Sequence, residues 1–298
     1  MTESFQRYLR AKRTVDDRAL DRRLVEMLRE QLAARAADSD GSLRVLEIGA
    51  GIGTMLTRFL EWDVLPAGEV HYTAVDIQSE NVAHLPDHIR DWAVDRQMSI
   101  GDSPLVLKAE NRQIEIETVQ AEAVAHAAAA DDEYDLLIGA ALLDILDRRE
   151  LVTLLEPLAP GGLYYFPITF DGATRFQPSH PADRAVEQHY HGHMDAKQGG
   201  DSRAGGDVLA HLQRLDGITL SGVAGSDWVV RPVDGSYPAD EAYFLRYILN
   251  TIEDAVGEMT GSDFKELDAW LAHRREQVAA AELLYHTHQL DFLGRVNS

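Results

Sequence analysis

The chain has 298 residues, 45% of them hydrophobic, enough to bury the core of one large domain with an appendage and too apolar for wholesale disorder. It holds no cysteine, which excludes disulfide frameworks, thiolate metal sites and cysteine nucleophiles, and its longest apolar run, Leu136–Leu143, is eight residues where a membrane helix needs about 20. Fifty acids against 28 bases leave a net charge of −22, a field that repels nucleic acid and anionic membranes.

Residues 1–13 are polar and basic and lack the apolar core of a secretory signal, so the expected setting is the cytoplasm. Thr14 is a predicted N-cap with Asp17 in a capping-box position, opening a helix to Ala37 on which Leu20, Leu24, Leu28 and Leu32 repeat at i, i+4. Residues 1–41 read as an N-terminal helical cover and 42–298 as the main domain. Strands and helices then alternate: strand Leu43–Ile48, helix Met55–Trp62, strand Val70–Val75, and helix Ser79–Arg96 despite Pro86. A hairpin of Leu105–Leu107 with Ile114–Thr118 follows, then a helical stretch at 121–130, strand Tyr134–Ile138, helix Leu142–Leu158 and strand Leu163–Thr169. That alternation predicts an α/β fold with a parallel sheet covered on both faces. Residues 171–206, with four histidines and a Gly-rich tract, read as a substrate-side loop. Helix Asp207–Arg214, strand Ile218–Val230, helices Ala239–Val256 and Ser262–Ala281 (a helical insertion over 235–281) and a last strand around Leu283–Leu293 complete the chain.

The densest signal is residues 45–54, VLEIGAGIGT. A buried strand runs into a glycine-rich turn and then a helix, and glycine is required where backbone bends sharply and approaches a ligand. Asp76, 23 residues after Gly53, ends the next strand, where an acid can hydrogen-bond ribose hydroxyls. A dinucleotide turn wants a third glycine at position 54; Thr54 stands there, which disfavours a NAD-dependent oxidoreductase.

With Glu47 two residues before Gly49, the chain resembles the class I S-adenosylmethionine-dependent methyltransferases, whose first motif reads E/D-x-G-x-G-x-G. The resemblance covers roughly residues 43–170. It implies a Rossmann-like three-layer sandwich on a seven-stranded sheet of order 3-2-1-4-5-7-6, the last strand antiparallel. It implies that Gly49, Ala50, Gly51 and Gly53 shape the cofactor loop, with Glu47 beneath it, and that Asp76 and Ile77 flank the ribose. Ala121 and Glu122 match the family's adenine-side position. Gly139 and Ala140 match the small residues at the end of the fourth strand, and Arg13 or Tyr8 from the cover would close over the cofactor's carboxylate. The activity implied is transfer of a methyl group from S-adenosylmethionine, leaving S-adenosylhomocysteine.

The family's substrates are held by N-terminal covers and by insertions after strands four to six. Tyr8, Arg10, Lys12, Arg13 and Asp144 are the candidates there, with the segment 189–195 (HYHGHMD), in which His191 is a candidate base oriented by Asp195. A metal wants a rigid frame and three or four ligands; the Gly-rich neighbourhood does not promise one, and no metal is expected. Gly139-Ala140-Ala141-Leu142 stands where nucleic-acid amino-methylating enzymes of this fold carry Asn/Asp-Pro-Pro-Tyr/Phe, so a small-molecule acceptor is expected and nucleic acid is not. The acidic charge fits a high-salt cytoplasm or a cationic substrate or partner. The alternatives are a non-catalytic cofactor binder and another transferase on the same scaffold, such as an aminopropyl transferase.

Overall fold

A computed structural model describes residues 2–38, 42–102, 104–109, 111–131, 133–261 and 264–297. The chain opens on two helices, α1 (Thr2–Ala19) and α2 (Arg22–Asp38). The expected cap at Thr14 is not one: Thr14 lies inside α1 and its hydroxyl donates to Glu241. The break falls at Leu20–Asp21, where the Asp21 carboxylate accepts the Leu24 N–H and so caps α2. Asp17, expected in a capping box, instead accepts from Arg58 at 2.5 Å. The leucines at 20, 24, 28 and 32 are all buried.

The alternating region gives β1 (Ser42–Ile48), α3 (Thr54–Glu61), β2 (Gly68–Asp76), α4 (Ser79–Asp95), β3 (Ser99–Asp102), β4 (Leu105–Ala109), β5 (Arg112–Gln120), α5 (Ala123–Ala128) and β6 (Tyr134–Ile138). Leu142–Leu158 is not the long helix expected. Ala141 takes a left-handed φ of 51°, Asp147 caps a 3-10 turn at Arg148–Glu150, and only Leu151–Leu155 (α6) is α-helical. All the leucines of this stretch but the half-buried Leu146 are nonetheless buried, which is why their pattern mimicked a helix.

β7 runs from Leu158 to Gln177 because the last strand pairs along its length. The expected loop at 171–206 is therefore the end of β7 followed by α7 (Asp183–Ala196) and the start of α8 (Ala204–Leu212). The strand expected at 218–230 divides at Ser226–Asp227 into β8 (Ile218–Gly225) and β9 (Trp228–Val230). α9 (Glu241–Thr260) and α10 (Leu267–Ala279) precede β10 (Leu284–Val296); residues 262 and 263 of the expected second helix lie outside the described residues.

The sheet order is β3-β4-β5-β2-β1-β6-β7-β10-β8, with β9 also paired to β10. Its central seven strands, β5-β2-β1-β6-β7-β10-β8, follow the expected order 3-2-1-4-5-7-6. β10 is antiparallel to both neighbours. The count is ten and not seven, because the antiparallel β3–β4 hairpin extends one edge and β9 borders β10. α1 to α4, α7, α9 and α10 pack their apolar residues on one face, and α5, α6 and α8 on the other. The result is a Rossmann-like three-layer α/β sandwich. Among the described residues no helix is long and apolar enough to cross a membrane.

Candidate functional site

The chain steps outward from β1 through β2 to β5, then returns to the other side of β1 for β6. In open α/β sheets, ligands bind at the carboxyl ends of the strands at such a reversal. The glycine turn sits there. Gly49, Gly51 and Gly53 have φ of 70°, 57° and 82°, conformations open to glycine at little cost. Hydrogen bonds tie the turn to β2: Ala50 N donates to Val75 O at 3.0 Å and Gly51 N to Asp76 Oδ2 at 2.8 Å.

Asp76 is buried, and its other oxygen accepts from Gln78 N at 2.8 Å and Asn81 Nδ2 at 3.2 Å. Asn81 Oδ1 accepts from Gln6 Nε2 at 2.9 Å, while Gln6 Oε1 is buried without a partner. A polar chain thus runs from α1 to the glycine turn. Neither Gln6 nor Asn81 was singled out in the sequence; the position of Asn81 in the helical turn after Asp76 was the available signal. Ile77, next along, is 61% exposed, an apolar side chain at the mouth of the crevice.

Glu47 lies beneath the turn and accepts from Tyr72 OH at 2.6 Å. Burial pushes its carboxyl up to about 7, opposed by the Tyr72 bond and the Arg58 charge. Gly53 serves packing: a Cβ there would lie 3.1 Å from both Leu85 and Ile89 of α4. Leu9 of α1 covers Gly51, its Cδ1 3.1 Å from where a Cβ would be. Leu142 lies against Gly49 and Gly139 in the same way, at 3.5 and 2.8 Å. The loop's glycines therefore admit close approach, and two leucines now stand against them.

The other expected cofactor residues are placed as follows. Ala121 N donates to Asp76 O at 3.2 Å, bringing the end of β5 beside β2. Glu122 is exposed and caps α5, accepting from Val124 N and Ala125 N. Gly139 N donates to Tyr165 O at the end of β6, and Ala140 follows it half-buried. Arg13 does not face the crevice: its guanidinium binds Thr57 at 3.0 Å and Glu61 at 2.6 Å on α3. The neighbouring Lys12 turns inward, 3.1 Å from Asp16 and over the Trp228 ring at 5.2 Å.

His191 and Asp195 share α7, but among the described residues no hydrogen bond joins them. His191 Nε2 stands 2.9 Å from Thr174 Oγ1, and the Asp195 carboxylate accepts Ser202 N at 2.8 Å. Burial lowers the His191 pKa. The helix sends His193 to Glu258 at 2.7 Å and His189 to the Phe264 ring at 5.1 Å, so the histidines do not converge. Among the described residues no group of three or more His, Asp or Glu side chains is placed to hold a metal ion.

No family model matches the chain, and no curated protein matches it. Solved structures similar to it include the [4+2]-cyclase SpnF, 13% identical, covering 92% of this chain and 81% of that one at a TM-score of 0.45. The Escherichia coli protein YjhP is 15% identical over 90% and 92% of the two chains, TM-score 0.43. Coclaurine N-methyltransferase, bound to N-methylheliamine and S-adenosylhomocysteine, is 14% identical over 94% and 72%, TM-score 0.42. These likenesses carry no assignment of activity, which rests on the crevice itself.

Proposed function

We propose that this protein is an S-adenosylmethionine-dependent methyltransferase that acts on a small-molecule acceptor and releases S-adenosylhomocysteine. The observation that carries the reading is the Gly51–Asp76 hydrogen bond. It joins a turn of left-handed glycines to a buried carboxylate at the sheet's reversal point, an arrangement that suits a nucleoside-bearing cofactor. Thr54 in place of a third dinucleotide glycine supports this cofactor over NAD.

The residues present fit that cofactor. A carboxylate offers about four lone-pair sites; Asp76 uses three within the chain and keeps one for a ribose hydroxyl. Ile77 presents apolar surface to an adenine. Glu122 caps α5 yet stays exposed, with oxygen lone pairs left for an amino group. Gly49 and Gly51 let backbone lie against the methionine portion. With Arg13 engaged by α3, Gln6 is an α1 side chain with a buried, unused acceptor.

Bound here, S-adenosylmethionine supplies a methyl group already activated by its sulfonium. The protein's task is then to hold and align, and positioning alone supplies much of the rate. α1, through Leu9, excludes water from the turn and must shift to admit the cofactor. A second reading, a binder without turnover, draws on that close cover of Gly51 by Leu9. Native mass spectrometry with equimolar S-adenosylmethionine, S-adenosylhomocysteine and NAD tests the first step. One-to-one adducts of the first two, without NAD, are expected; a NAD adduct alone contradicts the reading.

A further inference from the structure

Beyond the glycine turn, the loop after β6 carries Asp144, five residues past Gly139. Leu142, between them, touches the glycine turn, so Asp144 stands at the same edge of the sheet as the cofactor crevice. Its Oδ1 is buried and has no hydrogen-bond partner, and among the described residues it forms no ion pair. Burial pushes its carboxyl up to about 6, opposed by a hydrogen bond from its own backbone amide and by the Lys12 charge, with Asp201 pushing the same way.

Nearby cations are already matched to other acids. Lys12 is held by Asp16, which also accepts from Trp228 Nε1, and Arg58 is held by Asp17. Among the described residues Asp144 is the acid with a buried oxygen left unfilled.

Tyr190 links it to an aromatic cluster. Tyr190 of α7 lies in the field of Asp144, and Tyr8 of α1 and Tyr285 of β10 interact electrostatically with Tyr190. Tyr8 stacks on Tyr247 at 4.1 Å and on Phe244 at 5.7 Å. Trp228 meets Phe244 edge-on at 5.3 Å. The hydroxyls of Tyr8 and Tyr190 make no hydrogen bond among the described residues. Burial raises both phenols' pKa values, that of Tyr190 to about 12, so both rings stay neutral. A carboxylate with one buried oxygen unfilled, in the field of a neutral aromatic ring, is a receptor for an organic cation.

Resting on the methyltransferase reading, we infer that the acceptor is an apolar primary or secondary amine that enters as its ammonium ion and is held through nitrogen by Asp144. The ammonium gives one proton to the Asp144 carboxylate. The lone pair this frees on nitrogen forms the new N–CH3 bond as the S–CH3 bond breaks, its electron pair remaining on sulfur. The products are an N-methylammonium, a neutral Asp144 and a thioether, so charge and atoms balance. A carboxylate acceptor would face Asp144 and the net charge of −22, which attracts cations and repels anions. A phenol enters neutral and brings no positive charge to pair with Asp144.

Calorimetry on the full chain saturated with S-adenosylhomocysteine tests this with three isosteric probes: phenethylamine, 2-phenylethanol and phenylacetate. The amine is expected to bind at least ten-fold tighter than the other two. Asp144→Asn is expected to remove at least ten-fold of that amine affinity and to leave S-adenosylhomocysteine affinity within two-fold. Equal or tighter binding of the alcohol or the acid, or no binding of any probe to a chain that holds S-adenosylhomocysteine, overturns the amine assignment and leaves the cofactor reading standing. Failure to bind S-adenosylhomocysteine itself overturns the cofactor reading. The wild-type comparison needs no variant, so it decides the matter even where Asp144→Asn does not fold.

Discussion

Gly51 and Asp76, 25 positions apart, are joined by a 2.8 Å hydrogen bond from the amide of one to the carboxylate of the other. The bond fixes the turn after β1 against the end of β2, and the second oxygen of Asp76 fixes the first turn of α4 through Gln78 and Asn81. One carboxylate thus organises three segments around the crevice.

Asp76→Ala leaves three N–H donors without their acceptor. Each buried donor so stranded costs on the order of 1–3 kcal/mol. Two of the three, on Gly51 and Asn81, are buried, so chemical denaturation is expected to register a loss of about 2–6 kcal/mol, with cofactor affinity weakened by a further ~1–3 kcal/mol. Asp76→Asn retains one acceptor oxygen and should lose less on both counts. Equal stability and affinity in the alanine variant would count against the role given to Asp76.

Gly51→Ala puts a side chain at φ 57° and 3.1 Å from Leu9 Cδ1. The left-handed conformation alone costs about 1–2 kcal/mol, and the contact pushes on α1. Pairing it with Leu9→Ala removes the steric part, so the double variant should be more stable than the sum of the single losses. Strict additivity in a double-mutant cycle would show that Leu9 does not cover the turn in solution.

Glu241, fully buried at the start of α9, accepts from Thr14 at 2.7 Å and from Arg18 at 2.6 and 2.9 Å. It is the anchor of the cover helix. Arg18 is half-exposed, so Glu241→Ala is expected to cost about 1–3 kcal/mol, below the full loss for a deeply buried pair. Hydrogen exchange should rise across residues 5–19 and stay unchanged in β1 and β2. Uniform faster exchange would mean that α1 is not an independent cover.

The burial of Glu47 gives stability a pH dependence. Its folded pKa lies above its ordinary 4.5, at about 7, so between those values the folded state binds more protons than the unfolded chain. The stabilisation is fully present below about 4.5 and is lost as pH rises through 7, a swing on the order of 1–3 kcal/mol. Asp144 and Asp291, both raised to about 6, act in the same direction. Glu47→Gln still accepts from Tyr72 and should flatten the profile, melting above wild type at pH 8. A variant destabilised equally at pH 5.5 and 8 would contradict this.

The sheet was readable because β1 and β6 are short apolar-rich runs and β2 and β5 alternate apolar with polar residues, all separated by local turn and helix signals. The crevice was readable for the same reason: the glycine spacing and Asp76 are short-range patterns. What eluded sequence reading depended on partners far along the chain. α1 was legible only in part, since its aromatic face is defined by α9, more than 200 residues away. Nothing local distinguishes Arg13, which turns to α3, from Lys12, which turns inward. Gly205 suggested a loop, yet it lies in the first turn of α8, and it is glycine because Asp171 of β7 lies 2.7 Å from where its Cβ would be. His191 and Asp195 have the spacing of a helical pair, but the Ser202 amide takes the carboxylate.

The central claim is that the Gly51–Asp76 turn holds S-adenosylmethionine. Calorimetric titration of the purified chain with S-adenosylmethionine, S-adenosylhomocysteine and NAD, in low and in molar KCl, tests it most directly. Saturable one-site binding of the first two and none of NAD is expected, with the affinity of both reduced in Asp76→Ala. Binding of NAD in their place, or no binding of either by folded protein at both salt concentrations, would contradict it.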